Sequence, residues 1–225
     1  MNNIKHLRRI PIFADLSEDE LRKLNEIIFL RRYRKKMFIF MEGEPGDGLY
    51  FVKSGQVKIS KILEDGREKI LRFLKEGDIF AEVLLFDPGP FPATAEAVED
   101  SEIGIIRNED MEEFLLKNPE IMLKILRVMS KRLRQAQMQV RDLAFKDTYG
   151  RLAGMLLKLA EEYGEKSEEG TTIKLSLSQQ ELANLIGSSR ETVARILGDF
   201  RKRGAIVIKR QKITILDEEE LQSWL

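Results

Sequence analysis

The sequence predicts an α+β chain built, in order, from a β-roll or jelly roll, one long helix and a winged helix-turn-helix. Three observations carry that prediction. Between about Phe38 and Ile106, apolar and polar residues alternate in short runs separated by glycine or Asp-Gly. From Met122 to Leu143, apolar residues recur at alternating four- and three-residue steps. From Gln179 the chain reads QQELANLIGSSRETVARILG, and a basic run between two β-branched segments follows. With 225 residues, 43% of them hydrophobic, the chain can bury a substantial core, which excludes a disordered tail protein.

Ahead of the strands, Ser17-Glu18-Asp19-Glu20 forms a capping box in which the serine hydroxyl and the glutamate carboxylate satisfy each other's end of a first helical turn. The strand runs are Leu49-Tyr50-Phe51-Val52, Val57 to Ile62 and Ile70 to Leu74. Punctuation at Gly43, Asp47-Gly48, Ser54-Gly55, Asp65-Gly66 and Gly77, at roughly ten-residue spacing, marks many short strands closing on one another. Asp65-Gly66 reads as a type I′ hairpin turn, whose two central residues both need positive φ.

Asn118 suits an N-cap and Pro119 the first helical position, where a missing N–H costs nothing. The stripe Met122, Leu126, Met129, Leu133, Ala136, Val140 and Leu143 has the spacing of a coiled-coil seam. A helix packed on its own barrel gives a similar stripe. The narrowness of this one, and the flanking Lys124, Arg127, Lys131, Arg132, Arg134 and Arg141, favour the same helix of a second copy as partner. Asp147 can cap a further helix carrying Leu152, Met155, Leu156 and Leu159, and a polar stretch from Tyr163 to Thr172 leads onward. The expected domains are 1–117, 118–146 and 147–225.

Ser178 and Glu181 form a second capping box. Leu182 and Ile186 share one helix face, Ala183 is small where the next helix must cross closely, and Gly187 sits where a turn requires positive φ. Val193 and Ile196 form the buried face of a second helix, completing the helix-turn-helix pattern. Between residues 190 and 212 there are eight cations against two acids, a local balance of plus six in a chain whose 38 basic and 38 acidic residues cancel as a whole. That is a phosphate-facing footprint. Ile206-Val207-Ile208 and Ile213-Thr214-Ile215 flank Lys209-Arg210-Gln211-Lys212, so a β-hairpin wing should follow the second helix.

Composition removes other functions. With no cysteine there is no disulfide, thiolate zinc site, Cys-ligated iron–sulfur cluster or cysteine nucleophile, and the single histidine, His6, cannot build a histidine metal cage. Haem is likewise not expected. The N-terminal MNNIKHLRRI lacks an apolar signal core, and no apolar run approaches a membrane span, so a soluble, cytoplasmic protein that is not an enzyme is expected.

The order of these parts resembles the Crp/Fnr family, the catabolite activator type of bacterial transcription regulator, over nearly the whole chain. The phrases that carry the resemblance are GEPGDGLYFVKSGQVKI (43–59), KEGDIFAE (75–82), LAFKDTYGRLA (143–153) and SSRETVARIL (188–197). The resemblance implies a cyclic-nucleotide-binding-like sensor domain, homodimerisation, contact with RNA polymerase, and a recognition helix carrying Arg190, Glu191 and Arg195. Arg can donate bidentately to guanine O6 and N7 and Glu can accept from cytosine N4, so this trio would read a palindromic TGTGA-like site in double-stranded DNA. Glu191 has a competing role as the third residue of a capping box opened by Ser188. Ser189, Thr192, Lys209 and Arg210 are expected on phosphates.

At the effector end the resemblance implies a pocket formed by Phe80, Ala81, Glu82, Val83, Pro92, Ala93 and Thr94, with Ala136 and Gln137 from the long helix. The family's cyclic-nucleotide site has Gly-Glu on one side, an Arg for the cyclic phosphate on the other, and a Thr-Ser pair for the purine. Here Ala81 precedes Glu82, no Arg stands between Glu82 and Arg107, and Ala136-Gln137 replace the hydroxyl pair. An unidentified small-molecule effector other than cyclic AMP is therefore expected. The alternative is a ligand-independent or cyclic-nucleotide-responsive DNA-binding protein.

Overall fold

The structure is a computed structural model that describes residues 2–209 and 211–225. It divides into two compact units, the first ending at Leu133 and the second running from Arg134 to Leu225.

The first unit opens with helices α1 (Asn2–Leu7) and α2 (Glu18–Glu26). The Ser17–Glu20 capping box that starts α2 is formed, with the serine N–H donating to the glutamate carboxylate at 2.7 Å. Strands β1 (Ile28–Tyr33), β2 (Phe38–Phe40), β3 (Gly48–Ser54), β4 (Val57–Ile62), β5 (Glu68–Leu74), β6 (Ile79–Phe80), β7 (Thr94–Ala97) and β8 (Ser101–Arg107) follow. They make two antiparallel four-stranded sheets, ordered β1-β8-β3-β6 and β2-β7-β4-β5. This is the expected β-roll. On β3 the side chains alternate between two cores: Leu49 and Phe51 join the helices, while Tyr50 and Val52 fill the space between the sheets. The strand is buried on both faces, which is why it reads as a continuous apolar run. On β4, Val57 and Ile59 point inward while Lys58 pairs with Glu68 at 2.8 Å and Glu96 at 2.9 Å.

The β4–β5 turn departs from expectation. Only Gly66 has positive φ (82°); the Gly66 N–H donates to the Leu63 carbonyl, and the Leu63 N–H to the Arg67 carbonyl. The loop is a longer hairpin with glycine in its left-handed position, not a two-residue type I′ turn.

Helix α3 (Asn108–Lys117) follows β8 and precedes the long helix α4 (Pro119–Phe145). Asn118 does not use its side chain to cap α4. It is buried and its amide donates back to the Phe114 carbonyl at 2.8 Å, closing α3 instead. The start of α4 is anchored by Ile121 and Ile125 in the core formed with α1 and α2, and Met122 and Met129 pack partly against the same core. These two stripe residues thus serve their own β-roll. Leu126 and Leu133, in contrast, are 58% and 63% exposed.

In the second unit, Ala136, Val140 and Leu143 of the stripe are exposed. Asp147 caps α5 (Thr148–Tyr163) through the Gly150 N–H, as expected. The polar stretch beyond it is not a bare linker. It folds into a hairpin of β9 (Gly164–Ser167) and β10 (Gly170–Ile173). Helices α6 (Gln179–Ile186) and α7 (Arg190–Lys202) and the wing strands β11 (Ile206–Lys209) and β12 (Lys212–Ile215) follow, and the sheet is ordered β11-β12-β10-β9. Helix α8 (Glu218–Gln222) ends the unit. Leu152, Leu156, Leu182, Val193, Ile196, Phe200 and Ile215 are buried.

The Ser178–Glu181 capping box holds the first turn of α6. Ser178→Ala should lower stability by about 1 kcal/mol, read as a reduced urea midpoint with an unchanged slope. An unaltered midpoint would contradict the cap's contribution.

Candidate nucleic-acid interface and effector pocket

Helices α6 and α7 meet as the pattern requires. Leu182, Ala183 and Ile186 are buried on α6, and Val193 and Ile196 on α7. Gly187 adopts φ 66° and ψ 56°, the left-handed conformation in which a Cβ is strained, and its N–H closes onto the Ala183 carbonyl. The Ser188 N–H uses the same carbonyl, at 3.0 Å, so Ser188 belongs to the turn. Helix α7 therefore starts one residue later than a Ser188 cap implies. Its N-cap is Ser189, whose hydroxyl accepts from the Thr192 N–H at 3.2 Å and lies 3.0 Å from the Thr192 hydroxyl.

The Ser188–Glu191 capping box is thereby corrected, and Glu191 is left exposed on the first turn. Its own backbone N–H and the Ser189 hydroxyl hold its carboxyl below the usual carboxylate range, so at neutral pH it is ionised and accepts only. Arg190 is exposed beside it and borders a recess shared with Gln179 and Gln180 of α6 and with Ile208 and Gln211 of the wing. Arg195, one turn further on, is exposed and donates to the Tyr149 hydroxyl at 2.7 Å. Lys209 pairs with Lys212 across the tip of the wing, where Gln211 has φ 65°. Arg210 lies outside the described residues.

The effector pocket lies in the first unit. A cavity of about 460 Å³ is lined by Phe40, Ile59, Leu71, Phe80, Ala81, Val83, Pro92, Ala93 and Met129, with Lys61, Arg72, Glu82 and Arg132 as its charged walls. Six expected residues, Phe80 to Val83 with Pro92 and Ala93, therefore stand together. Thr94 is buried, and its hydroxyl accepts from the Glu42 N–H at 3.0 Å. Ala136 and Gln137 belong to the second unit and are exposed. Ala81 adopts φ 58°, the conformation that favours glycine, immediately before the 3-10 turn Glu82–Leu85.

Glu82 is 7% exposed and forms an ion pair with Arg132 of α4, whose guanidinium also donates to the Ile79 carbonyl. The sequence-based expectation of a pocket without a guanidinium is corrected here. Arg132 stands fifty residues from Glu82 in sequence, and its place in a helix of many cations gives no local sign that it turns to the pocket. Among the described residues, no group of three or more His, Cys, Asp or Glu could hold a metal ion, and no helix is long and apolar enough to cross a membrane.

Known protein families match both halves of the chain. Residues 30–118 match the model of the cyclic nucleotide-binding domain, and residues 150–224 that of the Crp-like helix-turn-helix domain. The chain is 35% identical over 215 residues to the CRP-like cAMP-activated global transcriptional regulator of Mycobacterium tuberculosis, covering 96% of each protein. It is also 35% identical over 185 residues to the global nitrogen regulator of a Nostoc species, covering 81% of this chain and 83% of that protein. The solved structure of the c-di-GMP responsive global regulator CLP of Xanthomonas campestris superposes with a TM-score of 0.78 at 26% identity, covering 89% of this chain and all of that one. With the helix-turn-helix, the wing and the β-roll in place, the chain belongs to the Crp/Fnr family of DNA-binding transcription regulators.

Proposed function

We propose that this regulator acts in the cytoplasm as a homodimer that reads a palindromic, TGTGA-like site, under the control of a small effector other than cyclic AMP. The observation that carries the DNA reading is the arrangement on α7. Arg190, Glu191 and Arg195 are exposed along its first two turns, with the Ser189 and Thr192 hydroxyls at its N-terminus and Lys209 and Lys212 at the wing tip. A helix N-terminus and paired hydroxyls suit phosphates, while guanidinium and carboxylate groups suit guanine and cytosine edges. In this reading 1–117 senses, 118–146 dimerises and 147–225 binds DNA, and no catalytic step is involved.

Sedimentation of the protein with a duplex carrying two TGTGA half-sites about one helical turn, roughly 34 Å, apart should give two chains per duplex. One chain per duplex, with no loss of affinity when one half-site is scrambled, would overturn the proposal.

Three features support an effector other than cyclic AMP. The guanidinium of Arg132 is already occupied by Glu82 and the Ile79 carbonyl, so a cyclic phosphate would have to displace a buried partner. The segment from Asp87 to Ala93 carries no cation, and Pro88, Pro90 and Pro92 offer no N–H donors. The remaining wall is mostly apolar, which suits a smaller or more apolar molecule. Titration calorimetry with cyclic AMP should show no micromolar binding. Micromolar affinity accompanied by tighter DNA binding would contradict this and would bring Arg72 or Arg132 onto the phosphate.

A further inference from the structure

The structure points to Tyr149 as a positioning residue for base recognition, resting on the proposed role of Arg195 in reading DNA. Tyr149 lies in the first turn of α5, outside the helix-turn-helix. Its ring is fixed on two sides: it stacks on Trp224 at 4.9 Å with the planes 16° apart, and it meets Phe200 edge-on at 6.2 Å. The guanidinium of Arg203 lies 4.6 Å from the centre of the Trp224 ring and 3.2 Å from Glu220. The phenol is thus a rigid platform.

On that platform the hydroxyl stands between two residues of α7. It accepts from Arg195 Nη1 at 2.7 Å and donates to Asp199 Oδ2 at 2.7 Å, and the Arg195 guanidinium lies 5.4 Å from the ring centroid. Donation to Asp199 is also what raises the Tyr149 pKa above its ordinary value. Arg195 and Asp199 are four residues apart on one helix, the spacing at which a cation and a carboxylate pair directly. Such a pair would draw the guanidinium along the helix and occupy its fork. Tyr149 opposes that collapse by holding one carboxylate oxygen, the other lying 3.8 Å from Lys202, and by offering the arginine a neutral acceptor.

Of the five guanidinium N–H groups, one goes to Tyr149, and a bidentate guanine contact needs only two. Arg195 also remains exposed. The contact therefore holds the side chain ready for a base and does not bury it. The rotamer freedom a long side chain loses on binding is already reduced before DNA arrives.

The test uses the full-length protein and a panel of palindromic TGTGA-type duplexes in which each half-site base pair is replaced in turn. Arg195→Ala should erase discrimination at one base pair. Tyr149→Phe, which keeps the ring and its stacking, should reduce discrimination at that same base pair about fivefold, the size of one net hydrogen bond. Preference at the base pair read by Arg190 should not change, and the thermal midpoint should fall by no more than a few degrees. The double variant should be no worse than Arg195→Ala alone, and adding Asp199→Asn to Tyr149→Phe should restore much of the discrimination by removing the competing carboxylate. Wild-type discrimination in Tyr149→Phe, or fully additive losses in the double variant, would overturn the role of Tyr149 while leaving Arg195 as a reader. Unchanged discrimination in Arg195→Ala would remove both.

Discussion

Leu133→Glu is expected to leave the protein monomeric at micromolar concentration and to lower its affinity for a palindromic site about a hundredfold or more, because the avidity of two linked half-site contacts is lost. Leu126, Leu133, Val140 and Leu143 stand three or seven residues apart on α4 and are 58%, 63%, 67% and 49% exposed in the single chain. Burying one such side chain in a symmetric seam contributes about 1.5–3 kcal/mol from each copy. A glutamate at the same place carries a charge into an apolar interface opposite its own symmetry mate. Sedimentation velocity reads the outcome. A Leu133→Glu protein that is still dimeric would mean that the outer stripe of α4 does not form the seam.

Arg190→Ala should cost about 1–3 kcal/mol at a matched site and relax preference at one base pair of each half-site, since a bidentate guanine contact distinguishes that base from the other three. Lys209→Ala should behave differently. A phosphate contact carries no sequence information, so all duplexes should weaken alike and the slope of log affinity against log salt should fall by about one. Titrations on base-substituted duplexes at two or more salt concentrations separate the two. Equal weakening on all duplexes by Arg190→Ala would reassign that residue to the backbone.

Features with a local chemical cause could be read from the sequence. The Ser17–Glu20 and Ser178–Glu181 capping boxes, Asp147 as a cap, the left-handed Gly187 and the wing hairpin each depend on residues a few positions apart, and each is present in the structure. Helix α3 was not legible, because NEDMEEFLLK is short and largely charged and shows its buried face only against the β-roll. The β9–β10 hairpin was hidden because every residue of β9 is exposed, leaving no alternation to read. In the Ser188-Ser189 pair either serine could cap, and the turn decides by taking the Ser188 N–H for the Ala183 carbonyl.

The site residues divide the same way. Arg190, Glu191 and Arg195 stand in one short phrase, and six pocket residues stand in two. Arg132 and Tyr149 reach their partners only through the fold, Arg132 across fifty residues to Glu82 and Tyr149 across forty-six to Arg195. Neither has a neighbour in sequence that reveals its place.

Binding selection from randomised duplex DNA, run in parallel on the wild type and on Arg190→Ala, bears on recognition as a whole. The wild type should enrich a two-fold symmetric sequence with G·C-containing half-sites about one helical turn apart, and Arg190→Ala should enrich the same frame with one base pair of each half-site relaxed. Enrichment of an asymmetric site, or of the same fully specified site by both proteins, would contradict recognition by a dimer through Arg190.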